Sequence, residues 1–127
     1  MVDGIPLALP ALGHAQLMQD RVARVGFEWE DVQGVMDKVA EEIAEVRQAA
    51  TLEERASELG DLLFSLVNLA RWWGIQAEDA LRQTNQRFAT RYRRMEALAE
   101  QRGQDFTALP LAEKEALWQE AKRLERQ

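Results

Sequence analysis

The chain has no cysteine and a single histidine, His14, among 127 residues. The lack of cysteine excludes disulfides, thiolate zinc sites and cysteine nucleophiles, and fits a reducing compartment. One histidine removes the paired Glu-x-x-His elements of a di-iron bundle. No apolar run approaches the ~18 residues of a membrane span, and no basic stretch followed by a hydrophobic signal core opens the sequence. Valine, isoleucine and threonine are not massed in alternating runs, so no strand is expected. Excess positive charge is absent too: the formal net charge is −6, which argues against a general nucleic-acid-binding surface. What remains is a composition 46% hydrophobic and 30% charged, that of a globular chain. The expectation is one soluble, cytoplasmic domain over 1–127. An anionic substrate would then need a local basic pocket or a metal ion.

The pattern along the chain is helical. Pro6 and Pro10 bound a short irregular start over 1–10, after which a first helix is expected from Ala11 to Val25, ending near Gly26. Val32, Val35, Met36, Val39, Ile43 and Val46 recur at the three-and-four spacing of an amphipathic helix running from Trp29 or Glu30 to Ala49. Thr51 followed by Glu54 has the form of a capping box, opening a third helix that runs to about Trp73, with Gly74 as its C-terminal cap. A fourth is expected from Ala77 to Gln101 and a fifth from Leu111 to Glu125. The fold class is therefore all-α, a bundle of four to five helices completed by oligomerisation. That last expectation rests on Leu59 to Trp73, apolar over more of its circumference than four other helices can cover.

Acidic residues interrupt this apolar pattern at two places. At 100° per residue, Glu42 and Glu45 are neighbours beside the apolar stripe of the second helix, about 60° and 120° from its centre, while Glu41 is more peripheral. On the third helix Glu54, Glu58, Asp61, Ser65 and Asn68 form one polar strip about 80° wide. Ionised carboxylates beside a core are costly unless something offsets their desolvation and repulsion. Two i,i+3 pairs, Glu42 with Glu45 and Glu58 with Asp61, can converge between consecutive antiparallel helices. Oxygen-only ligands of this kind select a hard divalent cation: Mg2+, with Mn2+ as substitute.

EEIAE (Glu41, Glu42, Glu45), followed after twelve residues by ELGD (Glu58, Asp61), resembles the EExxE and ExxD signature of the MazG family of all-α nucleoside triphosphate pyrophosphohydrolases. LPAL, VGFEW, DKVAEEIAEV, ELGDLLFSLVNLAR, NQRFATRY and LWQEAKR extend the resemblance, in order, over most of the chain. It implies a magnesium-dependent hydrolase that converts nucleoside triphosphates to monophosphate and pyrophosphate, removing non-standard nucleotides. It further implies Glu42, Glu45, Glu58 and Asp61 as metal ligands and a supporting or second-metal role for Glu41. Arg87 and Arg91 match the family's basic positions toward phosphate, and Asn85, Trp118 and Lys122 its nucleotide-proximal ones. Family members assemble as dimers or higher oligomers, so a homodimer or larger homo-oligomer is expected. Two positions depart from the pattern: Leu17 and His14 stand where related sequences often have lysine and arginine, which bears on N-terminal substrate contacts and not on the metal.

Each assignment has a plainer counterpart. Arg87, Arg91 and Arg94 also read as a solvated basic face, and Trp118 as packing for the last helix; Trp29, Trp72 and Trp73 read as core or interface. Three functions are compatible with the sequence: a broad pyrophosphohydrolase, a narrow dUTP/dCTP or phosphoribosyl-ATP enzyme of the same fold, and a non-catalytic helical regulatory module.

Overall fold

The computed structural model describes residues 2–6 and 8–126. Among them every regular element is helical: α1 (Ala11–Ala23), α2 (Val32–Gln48), α3 (Leu52–Trp72), α4 (Ala77–Gln101), a 3₁₀ turn (Phe106–Ala108) and α5 (Leu111–Glu125). The all-α expectation holds. The chain divides into two compact units, one running to Ala80 and the other beginning at Leu81.

In the first unit, helix ends fall where side chains or glycines satisfy the free backbone groups. Gly26, at φ +91, takes a left-handed turn that stops α1 at Ala23, two residues before the sequence expectation; the Phe27 N–H donates back to the Val22 carbonyl at 3.0 Å. The second helix starts at Val32, not at Trp29 or Glu30, because the Asp31 carboxylate accepts from Gly34 N–H at 3.0 Å and so caps the helix there. The capping box at Thr51 is present: its Oγ1 accepts from Glu54 N–H at 3.1 Å, and Glu54 Oε2 accepts from Ala50 N–H at 2.9 Å. Only residues 49–51 separate α2 from α3, and the two helices pack extensively along their length. This short connection sets the acid motifs side by side.

Two buried glutamines that periodicity did not single out tie α1 to α3 and to the residues that follow it. Gln16 Nε2 donates to the Ile75 carbonyl at 2.8 Å, its Oε1 accepts from Ala77 N–H at 2.8 Å, and Gln19 Nε2 donates to the Phe64 carbonyl at 3.0 Å. Each such bond contributes roughly 1 kcal/mol net, and leaving a buried partner unpaired costs more.

The second unit has its own small core of Met95, Ala99, Leu117 and Ala121, with Leu98, Phe106, Leu109 and Trp118 packed on it. Ala99 and Ala121 are fully buried, and their small side chains let α4 and α5 approach closely. Gly103, at φ +67, turns the chain out of α4, and the Asp105 carboxylate caps the 3₁₀ turn through Thr107 N–H. Arg102 grips both carboxylate oxygens of Glu120, at 2.6 and 3.0 Å. Among the described residues no helix is long and apolar enough to cross a membrane.

Candidate metal centre

Of the four carboxylates that helical spacing is expected to bring together, three converge most tightly. Oxygens of Glu42, Glu58 and Asp61 lie within 4.8 Å of one another. Glu42 comes from α2 and is 3% exposed, Glu58 from α3 is half-buried, and Asp61, one turn further along α3, is exposed. The arrangement therefore has a dry end at Glu42 and an open end at Asp61.

The charges within it are not equivalent. Lys38, one turn before Glu42, places its Nζ 2.8 Å from Glu42 Oε1 and 3.5 Å from Glu41. This contact lowers the Glu42 pKa below its ordinary value and raises that of Lys38. Glu45 moves the other way: contact with the Glu58 carboxyl, then burial and the neighbouring Glu42 charge, push it up to about 7. Two adjacent carboxyls hold a shared proton more readily than two negative charges. Glu41 is exposed and outside the cluster, with Lys38 Nζ 3.5 Å from its Oε1.

The donor set suits a hard cation. Glu42 Oε2 and Glu58 Oε2 are buried acceptors with no hydrogen-bond partner, an unfavourable state that a bound cation relieves. Oxygens about 2.1 Å from a magnesium ion lie at most roughly 4.2 Å apart, so the cluster needs only a small contraction to close on one. A cation bound there would take over from the Lys38 ammonium on Glu42 and the proton on Glu45 as the balancing charge. Neither Lys38 nor the two glutamines of α1 was singled out from the sequence. The available signal was the i,i+4 spacing of Lys38 to Glu42, and for the glutamines a polar i,i+3 pair on an otherwise apolar face.

Asn68 shares the polar strip of α3, but its Oδ1 accepts from Arg71 Nε at 3.0 Å, and Arg71 Nη2 in turn pairs with Glu28 at 2.7 Å. It is an engaged amide two turns from Asp61. Asn68 and Arg71 line a largely apolar cavity of about 540 Å³, together with Met18, Gln19, Val22, Phe27, Trp29 and Phe64.

The remaining sequence candidates belong to the second unit. Arg87 is exposed, donates to Thr84 Oγ1 at 3.1 Å and borders a small polar cavity with Gln83, Gln86, Thr90 and Glu125. Arg91 Nε donates to both Glu125 oxygens at 2.9 Å, while its guanidinium lies 5.3 Å from the Trp118 ring centre. Phe88 packs against Trp118 at 5.6 Å and against Tyr92 at 6.2 Å. Asn85 is exposed and Lys122 half-buried. Trp73, read as core or interface, is 56% exposed in the single chain.

Comparison with known proteins adds an independent line. A protein-family model described as phosphoribosyl-ATP pyrophosphohydrolase matches residues 15–88, a stretch that contains all four acids of the centre. The nucleoside triphosphate pyrophosphohydrolase of Escherichia coli K12 is 48% identical over 132 aligned residues, covering 98% of this chain and 49% of that protein. The nucleoside triphosphate pyrophosphohydrolase/pyrophosphatase MazG of Thermotoga maritima is 40% identical over 114 residues, covering 90% of this chain and 45% of its own length. A Bacillus subtilis protein, YabN, is 41% identical over 70 residues. The chain thus spans about half the length of the two pyrophosphohydrolases it matches.

Proposed function

This chain belongs to the phosphoribosyl-ATP pyrophosphohydrolase family, in which it is similar to proteins of the MazG type, and from that premise we propose that it hydrolyses nucleoside triphosphates to monophosphate and pyrophosphate with Mg2+, or Mn2+ in its place. The observation that carries the reading is the Glu42, Glu58 and Asp61 cluster with its two unpartnered buried oxygens. Names of relatives at 48% and 40% identity supply the reaction class.

Glu42, Glu45, Glu58 and Asp61 would hold the cation, with Glu45 giving up its proton as it does so. When bound, the ion supplies neutralisation of phosphate charge and a water of lowered pKa. Glu41, exposed beside the cluster, is the carboxylate assigned to orient that water or to support a second ion. Arg87 and Arg91 are assigned to the remaining phosphate charge, Arg91 exchanging Glu125 for substrate, and Asn85, Trp118 and Lys122 to the nucleotide. Exposed Met36, Ile43, Leu59, Leu63 and Leu66 on α2 and α3 support assembly as a homodimer or larger homo-oligomer, since extensive exposed apolar surface is usually covered. A cytoplasmic role in removing non-standard nucleotides belongs to the same reading.

The test is product analysis over a panel of canonical and modified nucleoside triphosphates and phosphoribosyl-ATP, each with magnesium and with chelator. The proposal predicts pyrophosphate and monophosphate from several nucleotides, with magnesium only. Turnover of phosphoribosyl-ATP alone would instead favour the narrow activity in the family description, and an inactive protein across the panel would favour a regulatory module.

A further inference from the structure

The connection between α1 and α2, residues 24–31, carries apolar side chains that the first unit leaves open: Val25 is 62%, Phe27 79% and Trp29 47% exposed. Its own backbone bonds are local. Gly26 N–H donates to the Ala23 carbonyl and Phe27 N–H to the Val22 carbonyl, each at 3.0 Å and both at the α1 end, while Asp31 caps α2 at the other. Between these ends the connection borders the cavity of about 540 Å³ and does not pack into a core. Segments with few buried apolar contacts open at the low end of a protein's stability range.

One hydrogen-bonded chain ties this connection to α3. Among the described residues its link is the 2.7 Å ion pair between Glu28 Oε1 and Arg71 Nη2. Arg71 is itself held, its Nε donating to Asn68 Oδ1 at 3.0 Å. It also lies in the last turn of α3, where the helix dipole favours a cation. The Arg71 side chain is 13% exposed and that of Glu28 31%, so the anchored half of the pair stands on the helix and the releasable half on the connection. The geometry calls for arginine. Two edges of one guanidinium reach two acceptors, an arrangement that the single nitrogen of a lysine does not reproduce.

The chain also leads toward the acids. Asn68 shares the polar strip of Glu58 and Asp61 and stands two turns, about 10 Å along the helix axis, from Asp61. A contact that holds the connection shut is therefore fixed to the helix that carries half of the metal centre.

We propose that Asn68, Arg71 and Glu28 form a latch: it holds the α1–α2 connection closed against α3, and its opening paces nucleotide exchange. The inference rests on the triphosphate reading above and adds to it a conformational step. All three are positioning residues, acting through the connection and not on the reacting phosphates. An ion pair of this exposure contributes modestly, which suits a contact that must break and re-form.

Hydrogen exchange followed by mass spectrometry in the full chain tests the latch without turnover. Glu28→Ala and Arg71→Lys should each speed exchange over residues 24–31 about threefold to fivefold, as loss of such a pair does, and leave exchange over α2 and α3 unchanged. The combined variant should exchange no faster than Arg71→Lys alone, because the two side chains act as one unit. α,β-Methylene-ATP with magnesium should slow exchange over 24–31 in the wild type. In steady state, Arg71→Lys should raise KM for ATP by the same factor as it speeds exchange, with the magnesium dependence unchanged. The proposal is overturned if both variants exchange over 24–31 at the wild-type rate, if exchange rises equally over α2 and α3, which would make the pair an ordinary structural contact, or if KM is unchanged in a variant whose connection opens more often. Should the chain be inactive on ATP, the hydrolase reading fails, and the effect of α,β-methylene-ATP on exchange over 24–31 alone decides whether the latch responds to nucleotide.

Discussion

Glu42 and Glu45 lie less than one turn apart on α2, yet their carboxyls are driven in opposite directions, one held charged by Lys38 and the other held protonated by Glu58. The consequence for the metal-free protein has a definite sign. A folded-state pKa of about 7 for Glu45, against an unfolded value of 4.5, means the native state binds that proton more tightly. Its stabilisation is complete below pH 4.5 and is lost as the pH rises to about 7. The lowered Glu42 works oppositely, but only as pH falls below its ordinary range. Melting temperature in chelator should therefore decrease between pH 5 and 7.5, and magnesium should remove most of the decrease; a flat profile in chelator would contradict the carboxyl–carboxyl contact. Lys38 is a second handle at this scale. Lys38→Met leaves Glu42 without its counter-charge, so the metal-free protein should melt lower, while calorimetry should show tighter magnesium binding because no ammonium has to be displaced. Binding equal to or weaker than wild type would mean that Lys38 does not compete for the site.

Among the elements, α2 and α3 carry the centre, and their caps set its register. Asp31→Ala and Thr51→Ala each remove a side-chain acceptor from a helix start and should each cost about 1 kcal/mol, or roughly 3–6 °C in melting temperature; a change below 1 °C in both would show that packing alone fixes the helix ends. The elements themselves were legible in the sequence because apolar spacing, glycines and the Thr51 to Glu54 box agree on them. The pairing of acids across the hairpin was legible too, since a carboxylate pair beside an apolar stripe has few places to go. Three features were not. The start of α2 at Val32 depends on which of several acids caps it, and Asp31 is marked only by its bond to Gly34. Gln16 and Gln19 read as ordinary surface amides until α3 and the residues that follow it supply the backbone carbonyls they bind. The 3₁₀ turn at Phe106–Ala108 follows from Asp105 and carries no periodicity.

At the scale of the whole molecule, the single chain leaves large apolar side chains uncovered on α2 and α3, among them Leu59 at 50% and Leu63 at 48% exposed. The wild type should sediment as a dimer or larger species, and Leu63→Glu should shift it toward monomer while preserving the helical circular-dichroism spectrum; a wild-type monomer at micromolar concentration would contradict that assembly. The central claim, however, is the cation held between two helices by Glu42, Glu45, Glu58 and Asp61. It is tested most directly by pyrophosphate release from a nucleoside triphosphate titrated with magnesium, for the wild type and for Glu58→Gln, a nearly isosteric change that removes one ligand charge. The account predicts saturable magnesium dependence in the wild type and a loss of at least about 100-fold in Glu58→Gln, as expected where metal chemistry carries the reaction. Wild-type hydrolysis that persists in chelator, or a Glu58→Gln variant with full activity at the same magnesium concentration, would contradict it.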